Sequence, residues 1–298
     1  MADRFTISPA AGAALRERAV APDTALDSWP ADPPGAAGPE VAALAAGIIE
    51  ALREGPGYAV VETGVDGLAD HDLCTLYWNL FTSVFRPTPQ YRTGELIYPV
   101  EVSPGLPAVS HYSGSNQAGG YHTDGTLLPE PPEVACLFGL SAAEGGETLI
   151  MDGTELAAQL DALDPAHLRA LTEPVHFDVN GQIDGLVTKR QPVFRAAADG
   201  NGFELRYLRM YIEQGYDRAG EPLPVGLTAA MDAFDKISSL PENQTPVLLR
   251  RGVALLWNNR RMLHGRRPFH EQASSRRLRR LYGAYDPARR PGHGDGSR

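Results

Sequence analysis

Tyr121-His122-Thr123-Asp124-Gly125-Thr126 is the stretch on which the reading of this 298-residue chain turns. Gly119 and Gly120 precede it, the run Pro129 to Pro132 follows, and Val134-Ala135-Cys136-Leu137-Phe138-Gly139-Leu140 then reads as a buried strand. Glu144-Gly145-Gly146-Glu147 is a turn leading into a second apolar strand, Thr148 to Met151. A strand, a polar loop and a hairpin in that order build the mouth of a small β-barrel. On an extended backbone His122 and Asp124 point to one face and Thr123 to the other.

Working outward, the downstream candidate to join them is His264, in Trp257-Asn258-Asn259-Arg260-Arg261-Met262-Leu263-His264. Two imidazoles and one carboxylate on one side of a metal leave the opposite positions open. That donor set suits non-heme Fe(II) binding O2 and a chelating co-substrate.

The remaining pattern is mainly β with flanking helices, an α+β class. Apolar spacing predicts helices over Pro39–Leu52 (Val41, Leu44, Ile48, Ile49, Leu52), over Leu73–Val84, over Thr154–Leu171 and over Leu227–Ser238. Strands are expected at Tyr58–Val61, Val175–Val179, Leu186–Phe194, Phe203–Met210, Val247–Leu249, Val253–Trp257 and 276–282. Many strands with few helical crossovers favour a double-stranded β-helix, or jelly roll, over a parallel α/β sheet. Residues 1–37, rich in Ala and Pro, are expected to be an irregular arm, 38–290 a single domain with helical insertions, and 291–298 a disordered tail.

The order of motifs resembles a known superfamily. Tyr121 through Thr126, Pro131-Pro132, Gly145-Gly146-Glu147-Thr148-Leu149, Trp257 through His264 and Arg276-Arg277-Leu278-Arg279-Arg280 follow one another as in the taurine dioxygenase and clavaminate synthase-like Fe(II)/2-oxoglutarate-dependent oxygenases. The resemblance spans roughly residues 56 to 286. It implies that His122, Asp124 and His264 bind iron, that Thr148 touches 2-oxoglutarate, and that Arg276 pairs with its distal carboxylate. Arg280 becomes a second anion contact, to co-substrate or substrate. The implied chemistry consumes O2, releases succinate and CO2, and hydroxylates an unactivated C–H. Desaturation, epoxidation and cyclisation use the same ligands. Family members that halogenate have a small residue in place of the carboxylate, so Asp124 makes hydroxylation the default.

Two features of the residues themselves agree. On a strand Arg276, Leu278 and Arg280 share a face, and an internal guanidinium is shaped for a bidentate carboxylate. Residues 250–280 hold ten arginines against one acidic residue, Glu271, in a chain of net charge -10, a local excess that suggests an anion site.

For substrate contacts the candidates are Asn116 and Gln117, in the polar segment before the ligand strand, and one of Arg206 and Arg209. The expected substrate is a free amino acid or a small acidic, carboxylate-bearing natural-product intermediate. The acidic balance argues against nucleic acid as partner. No apolar run approaches about twenty residues and no basic-then-apolar leader opens the chain, so a cytoplasmic, non-membrane enzyme is expected. Cys74 and Cys136 read as small buried hydrophobes, in keeping with a reducing compartment. Oligomeric state is not legible. Two rival classes use the same residues: a Zn(II) hydrolase, which gives Thr148 and Arg276 no role, and a non-catalytic jelly-roll binding protein, which predicts metal-independent ligand binding.

Overall fold

The computed structural model describes residues 3–17, 29, 38–91, 94–101, 118–197, 202–270 and 276–286. The chain opens with β1 (Asp3–Ile7) and α1 (Pro9–Arg16), then α2 (Pro39–Arg53), β2 (Tyr58–Thr63), α3 (Asp70–Val84), β3 (Phe85–Pro87) and β4 (Ile97–Glu101). The segment with His122 is β5 (Gly119–His122), followed by β6 (Val134–Ser141), β7 (Glu144–Gly145) and β8 (Thr148–Asp152). Next come α4 (Gly153–Leu163), α5 (Pro165–Thr172), β9 (Val175–Asp178), β10 (Thr188–Gln191), β11 (Phe194–Ala196), β12 (Phe203–Leu205), α6 (Arg209–Ala219) and α7 (Val225–Ser238). The last strands are β13 (Thr245–Val247), β14 (Val253–Asn258), β15 (Met262–Arg266), β16 (Phe269–His270) and β17 (Arg277–Tyr285).

Two sheets carry the site. The larger has seven strands in the order β1-β2-β14-β6-β17-β3, with β4 also on β17, and the smaller runs β13-β8-β15-β5. Period-two alternation explains how apolar strands serve two layers at once. Along β6, Val134, Cys136 and Phe138 pack toward α1–α3, whereas Ala135 and Leu137 face the space between the sheets. Along β14, Ala254 and Leu256 take the first side and Leu255 and Trp257 the second. A third core joins the outer face of the small sheet to α4–α7, with Met151, Leu263, Leu156 and Phe234 among its members.

Several expectations are corrected. The start of the supposed irregular arm is ordered: β1 pairs in parallel with β2, and α1 is capped by Ser8, whose Oγ accepts the Ala11 N–H at 3.1 Å. The tail over 291–298 lies outside the described residues. β6 and β8 form no hairpin; residues 141–147 carry the chain from the larger sheet to the smaller, because each strand finds its partners elsewhere in sequence. The helix over 154–171 is two helices, since Asp164 ends α4 and caps α5 with Pro165 in its first turn. The strand read over 203–210 stops at Leu205, and Arg209 begins α6, closed by Gly220 in the left-handed conformation. Cys74 and Cys136 are buried free thiols, burial pushing Cys74 up to about 11. Among the described residues no helix is long and apolar enough to cross a membrane.

Candidate active site

β5 and β15 are neighbours, and their register places His122 opposite His264 with ring centroids 4.2 Å apart. Asp124 does not belong to the strand: β5 ends at His122, and Asp124 sits in the turn that Gly125, at φ +71°, makes possible. Strand alternation therefore places His122 but not Asp124. A different residue holds the carboxylate there. Asn259 Oδ1 accepts the Asp124 N–H at 2.9 Å, and its Nδ2 donates to the carbonyls of Asp124 and Pro132, both at 3.0 Å. Thr123 is turned to other work, its Oγ1 accepting the Tyr207 N–H at 3.0 Å.

The result is a compact donor set. One atom each from His122, Asp124 and His264 lie within 4.8 Å of one another, with His264 Nε2 3.8 Å from Asp124 Oδ2. His122 Nδ1 lies 2.9 Å from the Gly120 carbonyl, so a proton there leaves Nε2 as the lone-pair nitrogen. Among the described residues Asp124 Oδ2 and His264 Nδ1 are buried without a hydrogen-bond partner. Buried polar atoms left open in this way fit a divalent cation better than they fit a closed protein core.

Electrostatics keep the three groups in ligand form. Burial lowers the pKa of both imidazoles, to about 3 for His264, where the neighbouring His122 adds to the effect. For Asp124 burial acts upward, but Arg280, His264 and His122 together hold the carboxyl below its ordinary value. Neutral imidazoles and an ionised carboxylate are what metal binding requires.

Arg280 is committed inside the protein more than the resemblance implies. Its Nε donates to Gln90 at 2.7 Å, Nη1 to Asp124 Oδ1 at 3.3 Å and Nη2 to the Tyr91 hydroxyl at 3.0 Å. Its guanidinium also lies 4.6 Å from the Tyr282 ring centre. Burial opposes the charge, yet Tyr282, Asp124 and Tyr91 raise the pKa of Arg280 overall.

Thr148 and Arg276 line the same cavity as the three donors. Among the described residues Thr148 Oγ1 is buried without a hydrogen-bond partner; Arg276 is 6 % exposed, and burial, with nearby Arg266, pushes its pKa down. Gly146 makes room for it: a Cβ there would lie 3.1 Å from Arg276 Cδ, at a φ of +72°. As alternation required, Arg276, Leu278 and Arg280 face inward, while Arg277 and Arg279 turn outward to Asp70 and Glu101.

The substrate candidates fare differently. Asn116 and Gln117 lie outside the described residues. Neither Arg206 nor Arg209 lines the cavity. Arg206 donates to Gln191 in a separate cleft with Glu130 and Arg260, and Arg209 pairs with Glu213, Asp232 and Asp235 on the helices. Sequence reasoning missed Asn259, Arg266, Gln90 and Tyr91. The Asn258-Asn259 pair directly after a strand is the turn signal that could have flagged the first.

The model of the family described as taurine catabolism dioxygenase TauD, TfdA family, matches residues 22–282. The chain belongs to that family. This dioxygenase is 29 % identical over 236 residues to a uridine-5'-phosphate dioxygenase from an Amycolatopsis species, covering 76 % of this chain and 84 % of that protein. It is also 29 % identical over 175 residues to the FR-33289 synthase of Streptomyces rubellomurinus, covering 55 % of this chain and 51 % of that one. In fold it is similar to asparagine oxygenase solved with Fe(II), 3-hydroxyasparagine and succinate (TM-score 0.68, 16 % identity, 94 % and 93 % of the two chains). The non-heme iron oxygenase OrfP with Fe and alpha-ketoglutaric acid is similar at TM-score 0.61 and 18 % identity, covering 96 % and 95 %.

Proposed function

We propose that this dioxygenase hydroxylates an unactivated C–H bond of a free amino acid or a small acidic natural-product intermediate, using Fe(II), 2-oxoglutarate and O2 and releasing succinate and CO2. The observation that carries the reading is the donor set of His122, Asp124 and His264 in a cavity that Thr148 and Arg276 also line. The layered sheets are then the two halves of a double-stranded β-helix, with the site at its mouth.

In this reading His122, Asp124 and His264 would hold Fe(II), and the bound metal would supply C–H oxidation with O2 as the oxidant and 2-oxoglutarate as the two-electron donor. Thr148 and Arg276 orient the co-substrate by its distal carboxylate. Arg280 keeps Asp124 ionised and aimed. Leu127, Leu208 and Met210, on the remaining wall, exclude water and hold the substrate bond near the reacting centre. Support for an amino-acid substrate comes from the fold neighbours, solved with hydroxylated asparagine and, for OrfP, hydroxylated arginine. A phosphate-bearing substrate is the second reading, favoured by the relative named for uridine 5'-phosphate.

Succinate release from Fe(II)-loaded protein, screened over free L-amino acids and nucleoside monophosphates, tests the substrate class. Stimulation by one or more amino acids is the expected result, and stimulation by nucleotides alone replaces it with the second reading.

A further inference from the structure

Leu208, Arg209 and Met210 follow one another in sequence but divide their side chains between two surroundings. Leu208 and Met210 line the cavity, while Arg209 turns away to Glu213, Asp232 and Asp235. The preceding residue fixes their place relative to the metal donors. The Tyr207 N–H donates to Thr123 Oγ1 at 3.0 Å, and the Tyr207 carbonyl accepts the Thr123 N–H at 2.9 Å. Leu208 thus stands one residue from a clasp on the segment between His122 and Asp124. Leu127 and Leu128 line the same cavity just beyond Asp124. Among the described residues Asp124 is the only acidic group lining it, and its Oδ1 already accepts from Arg280. The acids next along the chain face elsewhere: Glu130 and Glu204 line the separate cleft, and Glu213 pairs with Arg209. Residues 102–117, between β4 and β5, include no Asp or Glu. A lysine or arginine side chain entering this cavity is stripped of water and meets no free carboxylate, so nothing offsets its lost hydration. A saturated side chain gains from the same wall with every methylene it buries.

We propose that the wall of Leu127, Leu208 and Met210 selects a substrate whose reacting portion is an uncharged aliphatic chain, that of an aliphatic amino acid, and excludes basic side chains. This rests on the amino-acid reading above and narrows it. The α-ammonium and α-carboxylate of such a substrate stay toward the open mouth, in water. Its side chain lies against the apolar wall and brings a C–H bond toward His122, Asp124 and His264.

The test is succinate release from Fe(II)-loaded protein with 2-oxoglutarate, comparing L-leucine, L-isoleucine and L-norleucine with L-lysine and L-arginine at equal concentration. At least one aliphatic amino acid is expected to stimulate release about tenfold or more above both basic ones. Leu208→Ala is expected to lower kcat/KM for that substrate by about tenfold to a hundredfold, the effect of removing about three buried carbons. The visible charge-transfer band of Leu208→Ala on anaerobic titration with 2-oxoglutarate is expected to match wild type, which reports an intact site. Leu208→Asp, which supplies a carboxylate to the wall, is expected to shift preference toward L-lysine. Stimulation chiefly by L-lysine or L-arginine overturns the inference and leaves the amino-acid reading standing. So does an aliphatic substrate that Leu208→Ala turns over as wild type does. Stimulation by nucleoside monophosphates alone overturns both.

Discussion

Asn259 clasps the backbone of Asp124 from both sides, accepting its N–H at 2.9 Å and donating to its carbonyl at 3.0 Å, 135 residues away in sequence. The side-chain amide imitates a strand partner for a residue that has left the strand. Asp124, on a turn, is thereby tied to the end of β14.

Replacing that amide should damage stability and metal binding together. Asn259→Ala leaves three buried backbone groups without their partner, at about 1–3 kcal/mol each. The expected outcome is a loss of at least about 3 kcal/mol in denaturant unfolding, with weaker Fe(II) binding in whatever fraction stays folded. Unchanged Fe(II) affinity would show that Asp124 needs no such support.

Thr148 offers a substitution whose two effects have opposite sign. Its hydroxyl is buried without a hydrogen-bond partner among the described residues, so Thr148→Val should leave the stability of the metal-free protein unchanged or higher. The same change should weaken 2-oxoglutarate by roughly tenfold to a hundredfold, the range for one hydrogen bond to a charged acceptor. Thermal unfolding and the titration band measure the two separately.

Gly146→Ala probes the space beside Arg276. The left-handed backbone at φ +72° and the 3.1 Å approach to both Arg276 Cδ and Phe269 Cβ make even a methyl group displace the guanidinium. Weaker 2-oxoglutarate binding with intact Fe(II) binding is expected, read by the same titration against metal uptake.

Lys189 gives a pH dependence. Burial, with the nearby charge of Arg206, lowers its pKa from 10.5 to about 7 in the folded protein, and its ammonium donates to the Leu128 carbonyl. Below about pH 7 the lysine is charged in both states, so the folded state bears the full cost of burying it. Between about 7 and 10.5 the unfolded chain binds the extra proton, so stability rises with pH. Lys189→Met should therefore be more stable than wild type at pH 6.5, with the gap narrowing by pH 9. Denaturation midpoints at the two pH values check this, and a gap that does not narrow contradicts it.

What sequence could reveal follows from how local each feature is. The apolar run of β6 and the stripes of α2 and α3 depend on neighbours a few residues away, and they emerge where spacing puts them. The inward face of Arg276 and Arg280 is likewise a consequence of strand alternation. Asp124 is read toward the right partners for an incomplete reason, since a turn and a distant asparagine place it. The parallel pairing of β1 with β2 joins residues 3–7 to 59–63, and no local pattern announces it. Arg209 looked like a strand residue because Phe203-Glu204-Leu205 alternates. The helix that follows is signalled only by Ile212, Tyr216 and the closing Gly220. That Arg266 stands beside Thr148 in the cavity depends on the register between β15 and β8, and that register is set by the whole sheet.

The central claim is that His122, Asp124 and His264 would hold an Fe(II) that takes a 2-oxo acid as co-substrate. The most direct measurement is anaerobic addition of 2-oxoglutarate to Fe(II)-loaded protein, with His122→Ala alongside, recording the visible spectrum. A charge-transfer band in the wild type that is lost in His122→Ala is the predicted result; fully metallated wild-type protein that shows no band contradicts the account.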